Sequence, residues 1–88
     1  MKRSAEFLLR QVAGKHVVVP VGDAAVAFNG MLTLNDTGVF LWEQLEQDKT
    51  EEALVEALCG KYDVSRELAA KDVRAFVEKL VSVKAITQ

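Results

Sequence analysis

Asn29-Gly30-Met31-Leu32-Thr33-Leu34-Asn35-Asp36-Thr37-Gly38-Val39-Phe40-Leu41-Trp42 is the stretch on which the fold turns. Met31 to Leu34 is a short apolar run interrupted only by a β-branched threonine, and it reads as a strand. Asn29-Gly30 before it suits a type I′ turn, where both central residues need positive φ, and suits equally a bulge within one longer strand. After Leu34 the pattern changes character at once. Asn35 is a good N-cap and Asp36 complements the positive end of a helix dipole. Val39, Phe40, Trp42 and Leu45 then recur at helical spacing to about Gln47. A strand that runs into a helix without a linker divides the chain into a β-rich first part and a helical remainder.

Upstream, Phe7, Leu8, Leu9 and Val12 lie on one side of Gly14-Lys15, and Val17-Val18-Val19 on the other. Apolar and β-branched runs flanking a glycine-containing turn predict a hairpin, with Pro20 at the end of its second strand, where a missing N–H does least harm. Gly22-Asp23 is a second break, and the layout from Val21 to Phe28 stays open. Downstream, Thr50 caps a second helix with Glu51 and Glu52 in its first turn and Leu54, Val55, Leu58 and Tyr62 facing inward. Ser65 caps a third, from Arg66 to about Lys84. At 100° per residue, Ala69, Val73, Phe76, Val77 and Leu80 form its inward face, and Ala70 and Val81 widen that face on one flank. Glu67–Lys71 and Arg74–Glu78 are spaced to pair on the opposite side. The expected architecture is α+β, with three N-terminal β-strands followed by three α-helices, in a single domain over residues 1–88.

Composition narrows the function. The chain has 88 residues, half of them apolar and 27% charged, with 11 basic and 13 acidic side chains and a net charge of −2. Such a balance offers no bulk attraction to phosphate backbones or anionic membranes. Cys59 is the single cysteine, so no intrachain disulfide can form. The N-terminus lacks the apolar core of a signal peptide, and no apolar run approaches a membrane span. A cytoplasmic location is expected.

Catalytic chemistry finds little support. His16 is the single histidine and sits in the predicted hairpin; Cys59 lies beside Leu58 late in the second helix, where a free cysteine behaves as a small hydrophobe. Neither has a partner at metal-ligand spacing. The five glycines are scattered, so there is no phosphate loop. No catalytic residue, metal or cofactor is expected. Three helices with a small sheet also suggest a winged-helix DNA-binding or transcription-associated protein, reading DNA with Arg66, Lys71, Arg74, Lys79 and Lys84. Against it, Glu67, Asp72 and Glu78 interleave on the same helix, and only Ala85 to Gln88 remain to build the wing that ordinarily comes after it. That reading is kept as the alternative. A further feature is Met31 to Leu34 itself, which carries neither the charge nor the proline that usually blunts an exposed sheet edge. It is either covered, by the chain's own helices or in a homodimer, or open for an extended peptide to add as a strand.

The ordered residues resemble those of PqqD-like proteins. Leu34-Asn35-Asp36-Thr37-Gly38 matches their strand-to-helix turn, and an aromatic–aliphatic helix comes next. Thr50-Glu51-Glu52, Leu54-Val55, Tyr62-Asp63-Val64, Asp72-Val73, Phe76-Val77 and Leu80 continue the pattern in order over nearly the whole chain. Val21 to Phe28 departs from it, being longer than in the shortest members. The resemblance implies a stand-alone RiPP recognition element with three strands on three helices, winged helix-turn-helix-like. Such an element is a non-catalytic peptide chaperone. It takes up the leader of a ribosomally made precursor peptide as an extra antiparallel strand and presents it to a modifying enzyme, often a radical SAM maturase. Carried onto this chain, Gly30, Met31, Leu32, Thr33 and Leu34 would offer the strand edge, mainly through backbone. From the width of the apolar helix face, the groove wall is expected at Ala70, Val73, Arg74, Val77 and Val81. Arg74 is either the partner of an acidic leader residue or of Glu78, and Trp42 and Phe76 belong to the core.

Overall fold

The computed structural model describes residues 1–27 and 30–87. Its sheet grows from the hairpin. Strand β2 (Phe7–Val12) and strand β3 (Lys15–Pro20) pair antiparallel in a register that sets Val12 against Lys15 and Phe7 against Pro20. The two residues between them, Ala13 (φ 52°) and Gly14 (φ 79°), both lie in the left-handed region, as a two-residue turn that matches the twist of its strands requires. Ala13 is the unusual member, since a Cβ in that region costs about 1 kcal/mol or more.

Period-two alternation assigns the two faces of the sheet. Phe7 and Leu9 of β2 and Val18 of β3 belong to the core or pack against it, whereas Leu8 and Val12 are exposed on the other face. Strand β4 (Leu32–Leu34) pairs antiparallel with β3, placing Leu34 opposite His16 and Leu32 opposite Val18. Leu34 is buried, Leu32 packs on the core and Thr33 points away. The sheet order is β2-β3-β4, so β4 is an edge strand. The strand begins one residue later than expected, at Leu32. The expected Asn29-Gly30 turn falls on Asn29, which lies outside the described residues, as does Phe28.

Helix α1 (Asp23–Ala27) occupies the stretch whose layout the sequence leaves open. Glu6 holds its start: the Glu6 carboxylate accepts from the Ala24 N–H at 2.8 Å and the Glu6 carbonyl from the Val21 N–H at 2.7 Å. The three longer helices start where their caps indicate. Asn35 Oδ1 accepts from the Gly38 N–H at 2.8 Å at the head of α2 (Asp36–Gln44), Thr50 Oγ1 from Ala53 at 3.0 Å at α3 (Glu51–Lys61), and Ser65 Oγ from Leu68 at 3.1 Å at α4 (Arg66–Ser82). Helix α2 ends about three residues earlier than its apolar spacing suggests, with Leu45 as C-cap. Tyr62 is the C-cap of α3 and only half-buried, its ring edge-on to Phe40.

Among the described residues Trp42, Leu41, Leu45, Leu54, Leu58, Leu80, Val18 and Val73 are the largest fully buried side chains, so the core lies where the three helices meet the inner face of the sheet. Around it the chain ends form a second, unforeseen sheet. Strand β1 (Lys2–Arg3) pairs antiparallel with β5 (Ile86–Thr87), Lys2 opposite Thr87. Arg3 donates through its backbone to the Leu45 carbonyl at 2.9 Å, and its guanidinium sits over the Trp42 ring, 5.7 Å from the centroid. The Met1 amine reaches Asp48 at 2.6 Å and the Lys49 carbonyl at 3.0 Å. The whole is α+β and winged helix-turn-helix-like, but the element after α4 is the two-residue strand β5 and not a wing hairpin.

Candidate functional site

A three-residue edge strand is a row of backbone donors and acceptors, alternate ones turned outward. Among the described residues no strand pairs with the outer side of β4. Beside that edge lies a hollow of about 310 Å³. Thr33, Leu34 and Asn35 form one bank. Thr37, Gly38 and Leu41 of α2 form the floor, and Asp72, Ala75, Phe76 and Lys79 of α4 form the far bank. The strand-to-helix turn explains the geometry. Because α2 starts directly after β4, its first turn lies under the strand's end, and Gly38 lets it come close. A Cβ at Gly38 would stand 3.2 Å from Leu34 Cβ and 3.3 Å from Asn35 Oδ1, tighter than ordinary contact.

The residues expected to form the peptide groove fall into separate places. Thr33 and Leu34 line this hollow; Gly30 and Met31 are exposed just before the strand, Met31 at 55%. None of the residues expected to form the α4 wall lines this hollow. Val73 is 1% exposed and lies in the core, and Ala70 is exposed and lines none of the hollows described. Arg74, Val77 and Val81 line a different hollow, of about 680 Å³, together with Met1 and the Lys49–Glu51 connection. The helical wheel explains the division. The inward stripe of α4 has two flanks, with Ala70, Arg74 and Val81 on one and Asp72, Ala75 and Lys79 on the other. The second flank borders β4. Trp42 and Phe76 are both buried, and Phe76 also contributes to the far bank.

Apolar width alone points to the opposite flank and passes over Asp72, Ala75 and Lys79. The sequence does carry a signal for them: the short side chain of Ala75 lies beside inward-facing Phe76.

Electrostatics separate the two flanks further. The Arg74 guanidinium lies 3.6 Å from Glu51 Oε2 and pairs with it instead of Glu78; the other Glu51 oxygen is buried without a hydrogen-bond partner among the described residues. Asp72 and Lys79 take part in none of the ion pairs among the described residues. Cys59 is half-buried in α3 against the core. Among the described residues no group of three or more His, Cys, Asp and Glu side chains converges as a metal site would require. No helix among them is long and apolar enough to cross a membrane.

The family model described as coenzyme PQQ synthesis protein D matches residues 15–86. No curated protein matches the chain. Two solved structures share its fold. TbiB1, solved in complex with the TbiA(beta) leader peptide, is 25% identical, with a TM-score of 0.74 over 97% of this chain and 93% of that one. A lasso peptide synthetase B1, complexed with its leader peptide, is 21% identical, with a TM-score of 0.70 over 92% and 89%.

Proposed function

The chain belongs to the family of coenzyme PQQ synthesis protein D, and from that premise we propose that it binds the leader of a ribosomally made precursor peptide as a fourth strand on β4. The observation that carries this reading is the β4 edge, unpaired among the described residues, with a hollow directly beside it. The edge would supply register-independent main-chain hydrogen bonds, and the hollow would receive alternate side chains of the guest. Both solved neighbours were captured with a leader peptide, which is the kind of guest such an edge accepts.

On this reading the protein is a carrier and not a catalyst. The precursor's core is altered by a separate modifying enzyme, which on this reading is a radical SAM maturase. The strand edge is Leu32 to Leu34, with Gly30 and Met31 leading in. The opposite wall is the Asp72, Ala75, Phe76 and Lys79 flank of α4, in place of the Ala70, Arg74 and Val81 flank that the sequence favours. A second copy of the chain pairing edge to edge would compete for the same strand.

Titration of labelled leader peptides from any short precursor encoded beside this chain tests the reading, with Leu32→Pro as the comparison. Proline removes a backbone donor and disturbs the short strand. Saturable binding that the substitution abolishes is expected, with thermal unfolding checking that the variant folds. A leader that binds Leu32→Pro as well as the parent chain would exclude strand addition at β4.

A further inference from the structure

Asp72 and Lys79 are the two charged residues lining the hollow beside β4. They stand seven positions apart on one flank of α4, which at 1.5 Å per residue is about 10.5 Å along the helix. Between them along the axis lie Ala75 and Phe76, and Leu41 closes the floor. Both charged side chains are exposed, and neither takes part in an ion pair or side-chain hydrogen bond among the described residues. The far bank therefore presents a negative group, an apolar seat and a positive group in sequence.

A guest strand meets this bank with every second side chain, about 6.8 Å apart at i and i+2 and about 13.6 Å at i and i+4. For a guest lying along α4, two like-facing positions four apart overshoot the Asp72–Lys79 spacing by about 3 Å, a distance that flexible side chains take up by inclining inward, while the position midway falls over Ala75 and Phe76. From this arrangement we infer that the chain selects guests bearing a cation and an anion four positions apart, with an apolar residue midway, and that Asp72 and Lys79 fix the guest's register and direction. Main-chain pairing alone cannot do this, because a strand ladder tolerates any shift by two residues. The inference rests on strand addition at β4, and it adds the side-chain chemistry of the guest.

The fold-change is modest for each pair. Ion pairs at partly exposed sites are worth up to about 1 kcal/mol, or about fivefold in affinity, and weaken as salt is raised. Together the two contacts set a preference of roughly tenfold or more at low salt for the matched order of charges over the reversed order.

A displayed library of random dodecapeptides selected against the intact chain tests this, with the exchange D72K/K79E selected in parallel. Enriched peptides on the parent chain are expected to carry a cation, an apolar residue and an anion at alternate positions in one consistent order. The exchanged variant should enrich the opposite order. Thermal unfolding of the variant, within a few degrees of the parent, shows that the exchange spares the fold. Enrichment of strand-like peptides with no charge pattern, or with a pattern that the exchange leaves unreversed, overturns the inference and leaves strand addition standing. Failure of either protein to enrich any peptide overturns both.

Discussion

Ala75→Trp separates the two flanks of α4 more sharply than any other single change. Ala75 is exposed on α4 and lines the hollow beside β4. An indole there would fill much of a space of about 310 Å³ and exclude the guest side chain seated on Phe76. Expelling one leucine-sized side chain forfeits about 1.5–3 kcal/mol of burial, so affinity should fall roughly ten- to 150-fold. The fold should hardly respond. Replacing alanine by an aromatic on an exposed helix face costs about 0.5 kcal/mol in propensity, which for a chain of this size lowers Tm by roughly 2–4 °C. Val81→Trp is the control: Val81 is 45% exposed on the opposite flank and lines the hollow that holds Met1. It should leave affinity within about threefold, since it does not line the β4 hollow. Fluorescence anisotropy with the leader peptide, together with a melting curve for each variant, makes the comparison. Unchanged binding by Ala75→Trp, or loss of binding confined to Val81→Trp, would refute the assignment and return the guest to the Arg74–Val81 flank.

Three further outcomes concern stability. Asn35→Ala removes the oxygen that accepts from Gly38, and should cost about 1 kcal/mol in urea unfolding; Ser65→Ala, at the comparable cap of α4, should cost about the same. Trp42, at 1% exposure in the core, should be indispensable: truncation to alanine forfeits about 3–5 kcal/mol, a large share of the stability of a small domain, and circular dichroism should show much of the chain unfolded by moderate warming. The Met1 amine, hydrogen-bonded to Asp48, holds that carboxyl below the usual range, with Lys2 adding to the effect. A lowered folded value means that the contribution is complete above the ordinary carboxylate pKa and disappears as pH falls through the lowered one. The urea midpoint of the parent chain should accordingly exceed that of Asp48→Asn at neutral pH and converge with it in acid.

The three long helices are legible in the sequence because each declares its start with a side chain that captures a free N–H, at Asn35, Thr50 and Ser65. The hairpin is legible from apolar and β-branched runs around a turn, and β4 from a short apolar run that leads straight into a capped helix. Strands β1 and β5 are not, since two residues carry no periodicity, and their pairing joins positions at opposite ends of the chain. Helix α1 is hidden for a related reason: a single turn of Asp23-Ala24-Ala25-Val26-Ala27 is fixed by Glu6, a contact across 18 positions. For the candidate groove, the sequence points to Thr33 and Leu34, which line the hollow, and to a flank of α4 that does not border it. Extra apolar width marks burial without naming what does the burying. On the Val77–Val81 side, part of that cover is Met1, brought there by the pairing of β1 with β5.

That same pairing gives the molecule the connectivity of a nearly closed ring. Lys2 and Thr87 are partners in an antiparallel ladder, so their Cα atoms stand about 5 Å apart, close to the gap left by one excised residue. A host protein could receive this domain within one of its own surface loops, with both junctions emerging at a single point and little distortion of the host. No residue of β1 or β5 lines the hollow beside β4, so such a splice would leave the strand edge free to work inside a larger machine.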